Sequence, residues 1–130
     1  MKYFTPSEAV QLINSGESVY IQGSTSIPEV LCKALADRGD ELRDVTIYAA
    51  FAVGRCEAPF CRPEYKDSFN IKSLFVANNI RKWLAAGYGS TIPAFLGEIP
   101  GLFRDGTLPL DAVFLNVSPP NDEGYCSFGV

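Results

Sequence analysis

The stretch that decides the fold is SVYIQGSTSIPEVLCKALADRG, Ser18 to Gly39. Its opening residues Val19, Tyr20 and Ile21 are β-branched or aromatic, the types that suit a pleated, half-buried strand. Gly23 ends that run, and Ser24, Thr25 and Ser26 follow as a hydroxyl-rich loop. From Pro28 onward Val30, Leu31, Ala34 and Leu35 recur at helical spacing until Gly39 stops the helix. Strand, loop and helix in this order are half of a βαβ unit.

The flanks repeat the alternation. Upstream, TPSEAVQLINS (5–15) predicts a helix with Thr5 and Glu8 as a capping box, Pro6 at its first position and Gly16 as its end. Downstream, DVTIYAAFAV (44–53) has the apolar, β-branched character of a buried parallel strand. Residues 54–70 carry Pro59, Pro63 and mixed charge, and predict a long excursion loop. SLFV (73–76) predicts a short strand, NNIRKWLAAG (78–87) a helix, and Tyr88 to Thr91 a brief strand. IPAFLGEIPGLFRDG predicts a helix from Pro93, disturbed or ended near Pro100, and DAVFLNV (111–117) another buried strand. The last stretch, VSPPNDEGYCSFGV, predicts a turn that climbs into a new strand at Tyr125–Phe128. The expected fold is α/β, a mostly parallel sheet with flanking helices.

The 130 residues suffice for one domain, and a hydrophobic content of 47% supplies its core. Net charge is −4, from 15 acids against 11 scattered bases, so no nucleic-acid partner is expected. No apolar run approaches the ~20 residues that span a bilayer, and MKYFTP lacks a signal-peptide core. The expected chain is cytoplasmic, with no membrane partner. It contains no histidine, so a Ser-His-Asp or Cys-His engine cannot be built from it alone. Acid–base work falls to carboxylates, lysine, tyrosine or cysteine. Cys56 and Cys61 lie within the loose range for a zinc pair, but a second close pair is missing. All four cysteines (32, 56, 61 and 126) are therefore expected as reduced thiols, mostly packed as small apolar groups, with no metal.

In open parallel sheets ligands bind beyond the carboxyl ends of the strands. Three loops leave such ends: Gly23 to Ile27, Ala52 to Phe69, and Ser118 to Gly124. Gly23, Ser24, Thr25 and Ser26 can offer backbone N–H and hydroxyl donors to an anion before a helix N-terminus. The competing reading is a plain turn with Ser26 or Ile27 near the helix cap. Tyr88–Pro93 echoes that loop, with Ser90 and Thr91 as its hydroxyls; the competing reading is again a capped helix start. Arg81 is expected as a solvated helical base, and Asp122 and Glu123 as solvated loop acids.

Taken together, GESVYIQGSTSIPEVLCKALADR, SLFVANNIRKWLAAG, IPAFLGEIPGLFRDGTLPLDAVFLNVSPP and GYCSFGV resemble the N-terminal half of the acetyl-CoA hydrolase/transferase family. Within it the resemblance is to 4-hydroxybutyrate and butyrate:acetate CoA-transferases. It covers the chain from about Ser7 to Val130, in several blocks with near-constant spacing. It implies that residues 1–130 are an N-terminal domain of CoA-transferase type, incomplete at its C-terminus, with a second domain absent from this chain. In that second domain a glutamate would attack the acyl-CoA thioester. An acyl-glutamyl anhydride and a glutamyl-CoA thioester would follow before CoA passes to a different carboxylate. That chemistry needs neither histidine nor metal.

The resemblance further implies a coenzyme A thioester and a small carboxylate, acetate or 4-hydroxybutyrate, as substrates, no permanently bound cofactor, and a homo-oligomer. It gives this chain no catalytic residue. Substrate-binding roles fall to Gly23, Ser24, Thr25, Ser26, Ser90 and Thr91, and loop support to Ser118, Pro119, Pro120 and Asn121. The isolated chain is expected to be inactive. The alternatives are an acyl-CoA hydrolase of the same family, or a non-catalytic small-molecule-binding or interaction domain of this fold. Asn121 stands where the family usually has aspartate, Glu123 where histidine is common, Ser90-Thr91 in place of a frequent Asp-Tyr, and Ala77 in place of a common glycine. The loop around Ala50 to Asn70 lacks the histidines that many members carry. These departures bear on acyl specificity more than on fold.

Overall fold

Period-two burial builds the sheet. Val19 and Ile21 point into one core, as do Val45, Ile47 and Ala49 of the next strand and Phe69 and Ile71 of the one after. The structure is a computed structural model that describes residues 3–50 and 59–128. Its strands are β1 (Ser18–Ile21), β2 (Val45–Ala49), β3 (Phe69–Ser73), β4 (Gly89–Thr91) and β5 (Ala112–Phe114). Every pairing is parallel, in the order β4-β3-β2-β1-β5. The register aligns the last residues of all five strands, Thr91, Ser73, Ala49, Ile21 and Phe114, in one row. This is the α/β, parallel architecture that the sequence predicts.

Helices cover the two faces unequally. On the first face α2 (Glu29–Ala36), α3 (Asn78–Ala85) and the residues that follow α1 (Pro6–Ala9), Val10 and Ile13, contribute to the larger core. On the second face α4 (Ile99–Arg104) packs over Tyr20 and Tyr48. Phe103 stands edge-on to both rings, centroids 5.5 and 5.4 Å away. Burial pushes the Tyr20 and Tyr48 phenols above their usual range, and the Asp111 carboxylate adds to the effect at Tyr48.

Several elements differ from the sequence expectation. The first helix keeps its Thr5–Glu8 capping box but turns to 3₁₀ at Val10–Leu12 and ends there. Of the apolar residues in this stretch Val10 and Ile13 are buried, while Leu12 is exposed. A three-residue spacing is what a 3₁₀ turn eclipses. The Arg38 guanidinium, at the far end of α2, donates to the Val10 and Ile13 carbonyls and fixes that ending.

β3 begins at Phe69, not at Ser73, because the buried pair Phe69 and Ile71 alternates with the more open Asn70 and Lys72. Leu74 has already crossed to the second core, and Phe75 is exposed. The helix expected from Pro93 starts at Ile99, with Pro100 in its first turn. There the missing N–H costs nothing, whereas in mid-helix it would break the ladder. Cys32 is disulfide-bonded, which overturns the expectation of four reduced thiols, while Cys126 is an exposed free thiol. Cys56, the far part of the 44–53 run and the start of the excursion loop lie outside the described residues. No helix among the described residues is long and apolar enough to cross a membrane.

Candidate functional site

β1 leads through α2 to β2 on one side of the sheet, whereas β5 lies on the other side of β1. The chain thus changes direction between β1 and β5, and a crevice opens beyond the carboxyl ends of neighbouring strands at such a point. A cavity of about 370 Å³ lies there, lined by Thr25, Pro28, Glu29 and Leu31 on the β1–α2 side and by Leu115 and Asn116 on the β5 side.

The hydroxyl loop forms one wall. Gly23 is half-buried, Ser24 and Thr25 are exposed, and Ser26 is buried. Ser24 sits at φ 60°, a left-handed conformation that costs a non-glycine residue roughly 1–2 kcal/mol. The N-cap of α2 is Pro28, with no side-chain cap. The competing reading holds in part: Thr25 and Ser26 do form a turn just ahead of the cap, but no hydroxyl of Ser24, Thr25 or Ser26 caps α2. The N-terminal end of the α2 dipole faces the same crevice and favours negative charge there.

Gln22 holds the two walls together. Its backbone N–H donates to the Phe114 carbonyl at 3.0 Å, and its side-chain Oε1 accepts from the Asn116 backbone N–H at 2.6 Å. Sequence reasoning passed over Gln22, Leu115 and Asn116, and gave Glu29, at the end of its first candidate stretch, no role. The signal for Gln22 was an amide directly after a strand. For Leu115 and Asn116 there was none without the strand order.

The second hydroxyl pair lies elsewhere. Ser90 and Thr91 are on β4, three strands from β1, or about 14 Å at usual strand spacing. Gly89 to Thr91 is strand rather than a capped helix start. Thr91 shares the end row with Ile21, but Ser90 lines a different cavity, of about 520 Å³, with Asp44, Lys66, Asp67 and Asn70. Gly23–Ser26 and Ser90 are therefore not brought together.

Ser118 to Asn121 open a closed turn. Ser118 and Ser127 exchange two hydrogen bonds, backbone N–H to carbonyl and backbone N–H to hydroxyl, each 2.9 Å. Asn121 Oδ1 accepts from the Glu123 and Tyr125 amides at 3.0 and 2.9 Å. The turn is pinned on its own amide side chain, an Asx arrangement. The strand expected at Tyr125–Phe128 does not form among the described residues.

The family model that describes the acetyl-CoA hydrolase/transferase N-terminal domain matches residues 1–130. The chain is 32% identical to the succinyl-CoA:acetate/propanoyl-CoA:succinate CoA transferase of Fasciola hepatica, over 94% of this chain and 25% of that protein. It is 31% identical to the 4-hydroxybutyrate coenzyme A transferase of Clostridium kluyveri, over 99% and 30% respectively. Among solved structures, RipA from Yersinia pestis superimposes with a TM-score of 0.85 at 28% identity, over 98% of this chain and 31% of that one. The 4-hydroxybutyrate CoA-transferase of Porphyromonas gingivalis gives 0.69 at 29% identity, over 98% and 27%. The chain thus spans about a quarter to a third of these relatives.

Proposed function

Since this chain belongs to the acetyl-CoA hydrolase/transferase family as its N-terminal domain, we propose that the crevice between β1 and β5 is the carboxylate-binding wall of a cytoplasmic CoA-transferase. The carrying observation is the hydroxyl loop at the point where the chain changes direction, with Ser24 and Thr25 exposed and no hydroxyl spent on capping α2.

In this reading Ser24 and Thr25 donate O–H hydrogen bonds to the carboxylate of an incoming acid such as acetate or 4-hydroxybutyrate. Ser26, buried beneath them, shapes the loop. Gln22 fixes the distance between the loop and the strand exit at Leu115–Asn116. The nucleophilic glutamate belongs to a second domain: it takes the acyl group from the thioester and CoA leaves as thiolate; the thiolate then attacks the glutamyl carbonyl of that anhydride and the first acid departs; the new acid attacks the glutamyl-CoA thioester, and the thiolate so released takes the new acyl group and frees the glutamate. Nothing in this sequence of steps asks this domain for a permanently bound cofactor. Water in place of the acid would turn the same intermediate to hydrolysis.

The test is made in a polypeptide that unites residues 1–130 with a second CoA-transferase domain. A hydrogen bond to a charged group contributes about 1.5–3 kcal/mol, so Thr25→Ala should raise the acid's KM roughly tenfold or more and leave Tm unchanged. An unchanged KM in both Ser24→Ala and Thr25→Ala refutes the assignment.

A further inference from the structure

We propose that the cavity at the amino ends of β2, β3 and β4 binds a small organic ammonium ion, a diamine or polyamine. The inference is independent of the functional reading above, because it uses the opposite end of the strands from the crevice. This is the cavity of about 520 Å³ that holds Ser90, a hydroxyl the sequence marks for a ligand and the crevice leaves unused. Its volume lies in the range of small-molecule sites.

Two carboxylates on the lining set the sign of the ligand. The Asp44 backbone N–H donates to the Asp67 carbonyl at 3.0 Å, which fixes these two residues side by side just ahead of β2 and β3. Both are exposed, and neither carboxylate has an ion pair or a hydrogen bond among the described residues. Arg43, the adjoining base, is already spent: its guanidinium donates to the Gly39, Asp40 and Leu42 carbonyls. α3 runs out at Gly87 on the cavity wall, so the negative end of its dipole adds to the two acids. Lys66 is the one base on the lining, and it pairs with neither acid. A cation between the carboxylates relieves their mutual repulsion.

The rest of the lining favours an alkylammonium over a bare metal ion. Hard divalent cations take six or more oxygen ligands, and no group of three or more His, Cys, Asp or Glu that could hold a metal exists among the described residues. Tyr88 lends the wall an aromatic surface, which suits both methylenes and an ammonium head. Trp83 stands edge-on to that ring with centroids 5.7 Å apart, so the wall is itself supported. The Asn70 and Ser90 side chains, also without partners among the described residues, supply neutral acceptors for the remaining N–H groups.

The experiment titrates the 130-residue chain with spermidine at low ionic strength. It follows the fluorescence of Trp83, the single tryptophan, together with the heat of binding. Saturable binding of one spermidine per chain is expected. Asp44→Asn combined with Asp67→Asn should weaken it roughly tenfold or more. Asparagine tolerates the left-handed φ of 55° at Asp44, so this pair should leave Tm nearly unchanged. Lys66→Gln should tighten binding about two- to fivefold. Asp122→Asn combined with Glu123→Gln takes the same charge from the turn beyond β5 and should change nothing.

The proposal is overturned if spermidine does not bind, or if magnesium at equal concentration perturbs Trp83 as strongly. It is equally overturned if the turn pair weakens binding as much as the cavity pair, since the net charge of the chain then does the work. A cavity pair that fails to fold hands the decision to Lys66→Gln: tighter binding upholds the site, and unchanged or weaker binding overturns it.

Discussion

Ser18 and Asp111 clasp β1 to β5 at the end of the sheet remote from the crevice: the Ser18 backbone N–H and hydroxyl reach one carboxylate oxygen, Oδ2, at 2.7 and 2.8 Å. The hydroxyl also lies 2.7 Å from the Pro109 carbonyl, so its single proton serves two acceptors. Gln22 makes the corresponding link at the crevice end. The short β5 is therefore held at both ends by side chains of β1 or its exit, not by ladder hydrogen bonds alone. Ser18 is buried, so Ser18→Ala should cost about 1 kcal/mol, a fall in Tm of roughly 3–6 °C, read by thermal denaturation.

The same clasp predicts a pH dependence. The Ser18 hydrogen bonds hold the Asp111 carboxyl below its ordinary value of 3.8. A carboxyl depressed on folding adds stability that is fully present above its unfolded value and lost as pH falls through the folded one. Denaturant titrations should therefore show stability falling as pH drops below about 4. Asp111→Asn should flatten that fall without abolishing it, because Glu8 under Thr5 and Asp105 under Thr107 are depressed in the same direction. An unchanged slope in Asp111→Asn would show that the clasp does not need the charge.

At the far edge, a Cβ placed on Gly89 would lie 2.5 Å from the Ile71 carbonyl oxygen. That neighbour is backbone of β3 and cannot step aside. Gly89→Ala should therefore cost about 1–3 kcal/mol and speed hydrogen exchange in β4 before the other strands. Uniform exchange across the sheet would contradict this.

Glu29 is the one carboxylate that lines the crevice among the described residues. If the acid's carboxylate binds there, the two charges repel across a solvated gap. Glu29→Gln in the two-domain enzyme should lower the acid's KM by roughly two- to fivefold. A raised KM would mean that Glu29 holds substrate. Residues 1–130 alone, given acetyl-CoA and butyrate, should show only background transfer, and activity above a boiled control that Glu29→Gln removes would make this carboxylate the nucleophile.

The sheet was legible in the sequence wherever the apolar, β-rich run is unbroken. The runs SVYIQG (18–23), DVTIYAAFAV (44–53) and DAVFLNV (111–117) each hold a strand, Ser18–Ile21, Val45–Ala49 and Ala112–Phe114, although the last, expected as buried over its whole length, stops at Phe114 and leaves Val113, Leu115 and Val117 exposed. Phe69–Ser73 was missed because Asn70 and Lys72 dilute the run, while the more apolar SLFV drew attention to residues that had already left the sheet. Pro100 was read as a helix breaker and proved to be a helix starter; proline allows either, and only the packing of Ile99 and Leu102 decides between them. The hydroxyl loop was found because its residues are contiguous. Leu115 and Asn116 were not, because they face Thr25 across a gap that only the strand order creates.

All five strands end on a single row, from Thr91 at one margin to Phe114 at the other. That row is a level shelf. Segments above it can be lengthened, shortened or exchanged without changing which side chains fill the layers beneath. Relatives near 30% identity whose names specify different acids, succinate, 4-hydroxybutyrate and cyclohexane-1-carboxylate, are what such a shelf permits. Substrate choice can drift in the rim while the foundation stays put. A graft that swaps Gln22–Pro28 together with Leu115–Asn116 should accordingly carry selectivity from one member to another, whereas either segment moved alone would part Gln22 from Asn116.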